Sequence, residues 1–233
     1  MKHTIQISKV NIGDKDIMLS RIVNHQLMYG SLSTDPGIGY GRMGLVLFFF
    51  HYARYTDHTL YEDFAGEILD EILEDMHTEL SWGFESGLCG IAWGIEYLLA
   101  NHFISGDSND ILFEMDQKIM ERDLRRIMDY SFLTGLDGLA CYVALRLAGQ
   151  GEFSSFDKSY IEELVEACRK AQMNDDTPCI GTSLMLHFHD VHPNNLNRKD
   201  YPYTDILRLI VGNQADNEIE NLSWKNGLKL LLL

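Results

Sequence analysis

The fold is decided by the stretch Gly83-Phe84-Glu85-Ser86-Gly87-Leu88-Cys89-Gly90-Ile91-Ala92-Trp93-Gly94-Ile95-Glu96-Tyr97-Leu98-Leu99, in which a glycine-rich turn runs directly into an apolar helix. Its pattern, Gly-x-x-Gly followed by bulky apolar residues, recurs along the chain. The anchor glycines of the copies are Gly41, Gly87, Gly135, Gly181 and Gly227, with separations of 46, 48, 46 and 46 residues. A period this regular indicates a repeat architecture.

An amphipathic segment separates each apolar segment from the next. Within residues 60–80, Phe64, Ile68 and Ile72 share one helical face, and acidic residues fill the other. Residues 43–55 are instead apolar around most of the helix, which predicts a helix buried on all sides. This alternation predicts an all-α fold: an α/α toroid, partial or open, of about five helical hairpins with inner apolar and outer amphipathic helices.

The repeats also predict the domain organisation and the ligand-binding end. Residues 1–16 are predicted to form an N-terminal extension, and residues 17–233 one repeat domain. If every inner helix begins just after a repeat glycine, all of them begin at the same end of the toroid. Their N-termini then form a ring of unpaired N–H groups with partial positive charge, where a ligand would bind.

Charge and cysteine usage restrict the classes of partner. The formal net charge of -16 argues against nucleic acid and anionic membrane surfaces, because the field of the protein repels phosphate. The first residues lack the apolar run of a signal peptide, and no stretch reaches the roughly 20 apolar residues of a membrane span. The four cysteines are expected to be free thiols, and we expect a cytoplasmic protein.

Three segments resemble the repeat motifs of lanthionine synthetase C-like (LanC-like) proteins. They are Gly39-Tyr40-Gly41-Arg42-Met43-Gly44-Leu45, Gly87-Leu88-Cys89-Gly90-Ile91-Ala92-Trp93-Gly94-Ile95 and Gly135-Leu136-Asp137-Gly138-Leu139. The resemblance implies an α/α toroid and an enzyme that binds one zinc ion through two cysteines and a histidine. It further implies that zinc activates a substrate cysteine thiol, which adds to a dehydrated serine or threonine of a precursor peptide and closes a thioether ring.

The zinc ligands of that family are not reproduced here. The family motif Trp-Cys-x-Gly corresponds to Pro178-Cys179-Ile180-Gly181, which keeps only the cysteine. The family motif Cys-His-Gly corresponds to Lys225-Asn226-Gly227, and neither a charged lysine nor an asparagine is a good zinc ligand. In a second register, counted from the N-terminus, the zinc-bearing repeats would lie beyond residue 233. In both registers the family's zinc site is missing or broken.

A substitute metal site is a second hypothesis. His187, His189 and His192 form a His-x-His-x-x-His cluster that, together with Cys179, would supply zinc ligands. Alternate residues of a helix point in nearly opposite directions, so the first two histidines face one ion only if the helix ends there. The competing interpretation is that these are ordinary surface histidines.

Candidate acid–base residues lie at the glycine turns and on the first inner helix. Asp35, Glu85 and Asp137 precede or begin inner helices, where a general acid or base would be placed. The competing interpretation is that they cap helices or pair with helix dipoles. His51 lies on the first inner helix and is the third catalytic candidate beside Asp35 and Asp137; its competing role is that of a core histidine.

Two functions from different classes remain open. The first is a zinc-site-deficient LanC-like protein that binds a peptide or partner protein as an accessory to peptide modification. The second is an enzyme, a divergent thioether cyclase with a substitute metal site; a third reading is a fragment of a longer cyclase. The segment 228–233 predicts an exposed apolar edge, because repeat arrays normally finish with a polar cap, and hence a homodimer or another partner.

Overall fold

Ten α-helices form the described part of the chain in the computed structural model, which describes residues 12–75, 80–150, 155–174, 179–190, 198–212 and 222–232. They are α1 (Ile12–Tyr29), α2 (Arg42–Thr56), α3 (Thr59–Glu74), α4 (Leu88–Ala100), α5 (Ser108–Met120), α6 (Leu136–Gln150), α7 (Lys158–Asn174), α8 (Ile180–Asp190), α9 (Tyr203–Val211) and α10 (Trp224–Leu232). Within these ranges there is no strand, so the all-α prediction is confirmed. Helix α1 begins before the predicted domain boundary at residue 17, and the division into an extension and a domain stays a prediction.

Inner and outer helices alternate as the repeat pattern predicts. In α4 every residue from Leu88 to Leu98 is buried, because the helix is apolar around most of its circumference. In the outer helix α3 only Ala65, Ile68, Leu69 and Ile72 are buried, and its acidic residues face solvent. No described helix is both long and apolar enough to cross a membrane.

The inner helices pack side by side, and the last one returns to the first. Helix α2 packs against α4, α4 against α6, and α6 against α8, while α10 packs against both α2 and α1. At the α10–α2 contact, a Cβ built on Gly227 would lie 2.3 Å from Cε2 of Phe48, so only glycine permits this approach. Leu228 beside it is fully buried.

The packing of α10 contradicts the prediction of an exposed apolar edge at the C-terminal segment. The described residues of the apolar C-terminal segment do not form an exposed edge, because Leu228 is buried and Leu230, Leu231 and Leu232 pack against the core. Helix α10 is instead covered by α1 and α2. Dimerisation stays a prediction, but an exposed edge at α10 no longer supports it.

The turns that precede α2, α4 and α6 share one geometry. In each, the first N–H of the helix donates to a carbonyl oxygen seven residues earlier at 2.8 Å: Arg42 to Asp35, Leu88 to Ser81 and Leu136 to Asp129. Neighbouring turns are also bonded to each other, since the N–H of Gly39 donates to the Glu85 carbonyl (2.6 Å) and that of Phe84 to the Leu133 carbonyl (2.9 Å). The starts of these inner helices therefore lie together at one end of the toroid.

A buried charge network joins α4, α5 and α6. The Arg146 side chain is completely buried, and its Nη1 lies 2.6 Å from Glu96 Oε1 while its Nη2 lies 2.8 Å from Asp116 Oδ2. Arg198 adds a second cation, with Nη2 at 2.8 Å from Glu96 Oε2. Charges this deep persist only when they are paired, so the network fixes how the three helices meet.

We expect Gly87→Ala to lower the free energy of unfolding by about 2 kcal/mol or more. The backbone of Gly87 is extended and accessible to alanine, so the loss comes from the added Cβ, which would lie 2.3 Å from the Ser81 carbonyl oxygen. Urea unfolding followed by circular dichroism measures it. The matched control is Gly66→Ala on α3, where nothing lies within 4 Å of the new Cβ and a gain of about 0.5–1 kcal/mol is expected. Equal effects of the two substitutions would contradict the packing argument.

Candidate functional site

A cleft of about 730 Å³ opens at the end of the toroid where the inner helices begin. Its walls come from the turns before α2, α4 and α6, from the start of α10, and from the C-terminal parts of α1 and α9. Tyr40, which precedes α2, is 73% exposed at its rim. We name this feature the main cleft. Its position is the one that the ring of helix N-termini predicts for a ligand.

Lys225 is the most constrained cation of the main cleft. Its Nζ lies 3.7 Å from the centroid of the Tyr40 ring and 5.7 Å from that of the Trp224 ring. Burial lowers the pKa of Lys225, the charge of Glu85 opposes this shift, and the charge of Lys229 adds to it. The cation is therefore held between aromatic rings with incomplete solvation.

A second cleft, of about 620 Å³, lies at the same end and is formed by the starts of α6 and α8 together with α9. Asp137, Cys179 and Arg208 line it. Leu209 of α9 lines both clefts, so the two are neighbours.

Asp137 caps a helix of the next repeat. It is only 3% exposed, and its Oδ1 accepts a hydrogen bond from the backbone N–H of Thr182 at 2.7 Å. Burial raises the pKa of Asp137, while bonds from the N–H groups at the start of α8 oppose that rise. This geometry supports the capping interpretation, because the carboxylate takes up the donors that a helix start leaves unpaired.

Asp35 shapes the turn before α2. Its Oδ1 accepts a hydrogen bond from the N–H of Gly37 at 2.8 Å, and its carbonyl oxygen receives the N–H of Arg42. Asp35 does not line the main cleft, whereas Glu85 does. Of the acidic candidates, Glu85 alone is thus placed on a wall of that cleft.

His51 lies away from both clefts. It is nine residues after Arg42 on α2, so it is roughly 13 Å along the axis from the end where that helix starts. Its Nε2 lies 2.7 Å from the Tyr97 hydroxyl, and its ring packs against Phe103 with centroids 4.8 Å apart. Burial and, second, the charge of Arg54 lower the pKa of His51 to about 4. The structure therefore does not bring Asp35, His51 and Asp137 into one site.

The interior behind the clefts is filled by aromatic residues. The Trp93 Nε1–H donates to the Tyr201 hydroxyl at 3.1 Å, and that hydroxyl lies 3.0 Å from the Cys141 carbonyl oxygen and 2.9 Å from its Sγ. Burial raises the pKa of the Cys141 thiol, which keeps it protonated. Tyr201 lies outside the repeat pattern, so sequence reasoning gave no signal for its role in this core.

The candidate metal ligands are dispersed. Cys179 lies just before α8, and His187 lies eight residues further along the chain, about 12 Å away at helical rise. Both His187 and His189 are exposed, and His189 Nδ1 lies 3.3 Å from Asp190 Oδ1. His192 lies outside the described residues. Within the ranges that the structure covers, no three His, Cys, Asp or Glu side chains are grouped so that they could hold a metal ion.

The family's zinc site does not fit this chain. In the first of the two registers Lys225 and Asn226 take the places of the Cys-His pair, and they line the main cleft, whereas Cys179 lines the second cleft. An ammonium and an amide do not replace a thiolate and an imidazole as zinc ligands. The donor set therefore has one residue of the right chemistry, and no reaction step through zinc follows from it.

Fold and site together define a class: an α/α toroid with a cleft where its inner helices begin. The family model described as "Lanthionine synthetase C-like protein" matches residues 33–187, from the turn before α2 into α8. The chain belongs to this LanC-like family. No curated protein and no solved structure matches the sequence. The matched region contains the first four repeat glycines and ends before Lys225 and Asn226.

We expect His51 to make stability depend on pH between 6.5 and 4. Because the folded protein holds the pKa of His51 at about 4, the unfolded chain takes up a proton first as the pH falls through 6.5. The free energy of unfolding should therefore drop by about 2 kcal/mol between pH 7 and pH 5 from this group. Urea unfolding at several pH values measures the slope. His51→Gln should flatten it, and the exposed control His187→Gln should not; parallel slopes for all three proteins would rule the prediction out.

Proposed function

We propose that this chain is a peptide-binding LanC-like protein, an accessory of lanthipeptide-type peptide modification that does not close thioether rings through zinc. One observation carries the proposal: the main cleft lies where the inner helices begin, and it is lined by Lys225 and Asn226, which the first of the two registers aligns with the Cys-His pair. In this proposal the protein acts in the cytoplasm, and its ligand is a peptide or a peptide segment of a partner protein.

The walls of the main cleft suit a peptide. Exposed Tyr40 and buried Trp224 supply aromatic surface, and Leu209 and Ile210 supply aliphatic surface. Aromatic rings with polar neighbours are typical of sites that hold side chains and backbone together. The volume of about 730 Å³ accommodates several residues.

The alternative is a divergent cyclase with a substitute metal site. It depends on Cys179, His187, His189 and His192, and the first two lie about 12 Å apart at helical rise. A metal site from these residues would require Cys179 and His187 to move closer together. Metal content separates the two functions directly.

We expect purified protein to contain far less than one zinc per chain, and Cys179→Ala to leave that content unchanged. The reason is that, among the described residues lining its cleft, none is a histidine or a second cysteine. Plasma mass spectrometry on protein dialysed against micromolar zinc gives the ratio. One zinc per chain that Cys179→Ala removes, and that the buried-cysteine control Cys168→Ala retains, would establish the cyclase alternative instead.

We expect peptides selected from a random twelve-residue display library to bind in the main cleft. Tyr40→Ala should lower the affinity for the selected peptides by about fivefold or more, since it removes the exposed ring at the rim of the cleft. Tyr55→Ala, which alters another exposed tyrosine outside the cleft, should not. Fluorescence anisotropy measures the affinities. Failure to enrich any peptide, or equal losses in both variants, would count against peptide binding at this cleft.

A further inference from the structure

We propose that the main cleft selects an acidic peptide segment, and that Lys225 is the residue that receives its carboxylate. This inference rests on the proposed peptide binding and specifies the class of peptide. Neither the family match nor the repeat pattern assigns a role to Lys225, which lies beyond the matched residues 33–187.

Two lysines line the main cleft of a molecule that is acidic as a whole. The whole chain has 19 lysine and arginine residues against 35 aspartate and glutamate residues. Among the described residues that line the cleft, the lysines and carboxylates are Lys225, Lys229 and Glu85. A half-buried lysine in a concave site attracts an anionic group to that site.

Lys225 is placed where a cation is unfavourable without an anion. It is about half buried, and burial lowers its pKa. It is also the second residue of α10, and the N-terminal end of a helix carries partial positive charge that repels a cation. Lys229, one turn further along the same helix, repels it as well.

The described residues do not compensate this charge fully. Lys225 Nζ lies over the faces of the Tyr40 and Trp224 rings, and the charge of Glu85 favours its protonated form, although across the described ranges no Asp or Glu oxygen lies within 4 Å of it. A carboxylate bound beside Nζ would stabilise the ammonium. It would thereby offset the unfavourable effects of burial, of the helix dipole and of the Lys229 charge. Such unfavourable local placements are typical of functional sites.

The surroundings favour a peptide carboxylate over a small free anion. The aromatic rings beside Lys225 and the aliphatic wall at Leu209 offer apolar contact that phosphate does not use. The volume of about 730 Å³ also far exceeds that of one inorganic anion. The net charge of -16 opposes polyanions, so an isolated glutamate or aspartate between apolar residues is the matching ligand.

The test compares two labelled twelve-residue peptides, three copies of Ala-Glu-Leu-Gly and the same sequence with each glutamate replaced by glutamine. Fluorescence anisotropy should show the glutamate peptide binding about tenfold more tightly. Lys225→Met should abolish that difference by weakening the binding of the glutamate peptide. Lys225→Arg should retain it, and so should Lys170→Met, which changes an exposed lysine of α7.

The outcomes separate this inference from the proposed function. If both peptides bind equally, and Lys225→Met affects them equally, acid selection is wrong while peptide binding stands. If inorganic phosphate displaces the labelled glutamate peptide as well as the unlabelled glutamate peptide does, the site binds small anions and the inference is overturned. If neither peptide binds and the display library enriches none, the proposed function fails. Thermal unfolding checks the variant: without ligand, Lys225→Met should unfold at the same or a higher temperature than the wild type, because it removes a half-buried cation whose charge Glu85 compensates only in part.

Discussion

The whole arrangement depends on the lack of space for a side chain at the start of the inner helices. A Cβ on Gly41, Gly87 or Gly135 would lie 2.3–2.4 Å from the carbonyl oxygen of the residue six positions earlier. That proximity lets the chain turn back tightly, so that the next N–H bonds to the same carbonyl at 2.8 Å. Because each turn also bonds to its neighbour, three helix starts are fixed side by side. The position of the main cleft follows from this crowding.

The apolar inner layer contains a network of buried charges. Arg146, Glu96 and Asp116 are completely buried and paired with one another, and Arg198 joins them from the segment that precedes α9. Apolar contacts tolerate small shifts of one helix along another, whereas a paired buried charge does not. The network thus supplies the orientation of α4, α5 and α6, while the apolar residues supply most of the driving force.

How much of this could be predicted from the sequence differs between the fold and the site. The alternation of inner and outer helices is a local pattern with a regular period, so the sequence was sufficient to predict it. The return of α10 to α2 was not predicted, because it joins residues more than 170 positions apart and leaves no periodic signal. The pairing of Glu96 could not be predicted, since its partner Arg146 lies 50 residues away. Asp137 had two interpretations, and only the position of α8 showed that its oxygen meets a helix start. The catalytic and metal candidates themselves stay predictions.

The contact between α10 and α2 has a consequence for the order in which the molecule is made. Helix α2 is synthesised early, whereas α10 is the last of the described helices to be synthesised. The face of Phe48 that lies against Gly227 therefore lacks this contact until α10 has been made. The main cleft takes walls from residues 25–45 and from residues 209–229, and therefore does not exist on a nascent chain that still lacks α10. Long-range closure of this kind is slow compared with helix formation. The packing of α10 against α2 is therefore the step that completes the described walls of the main cleft.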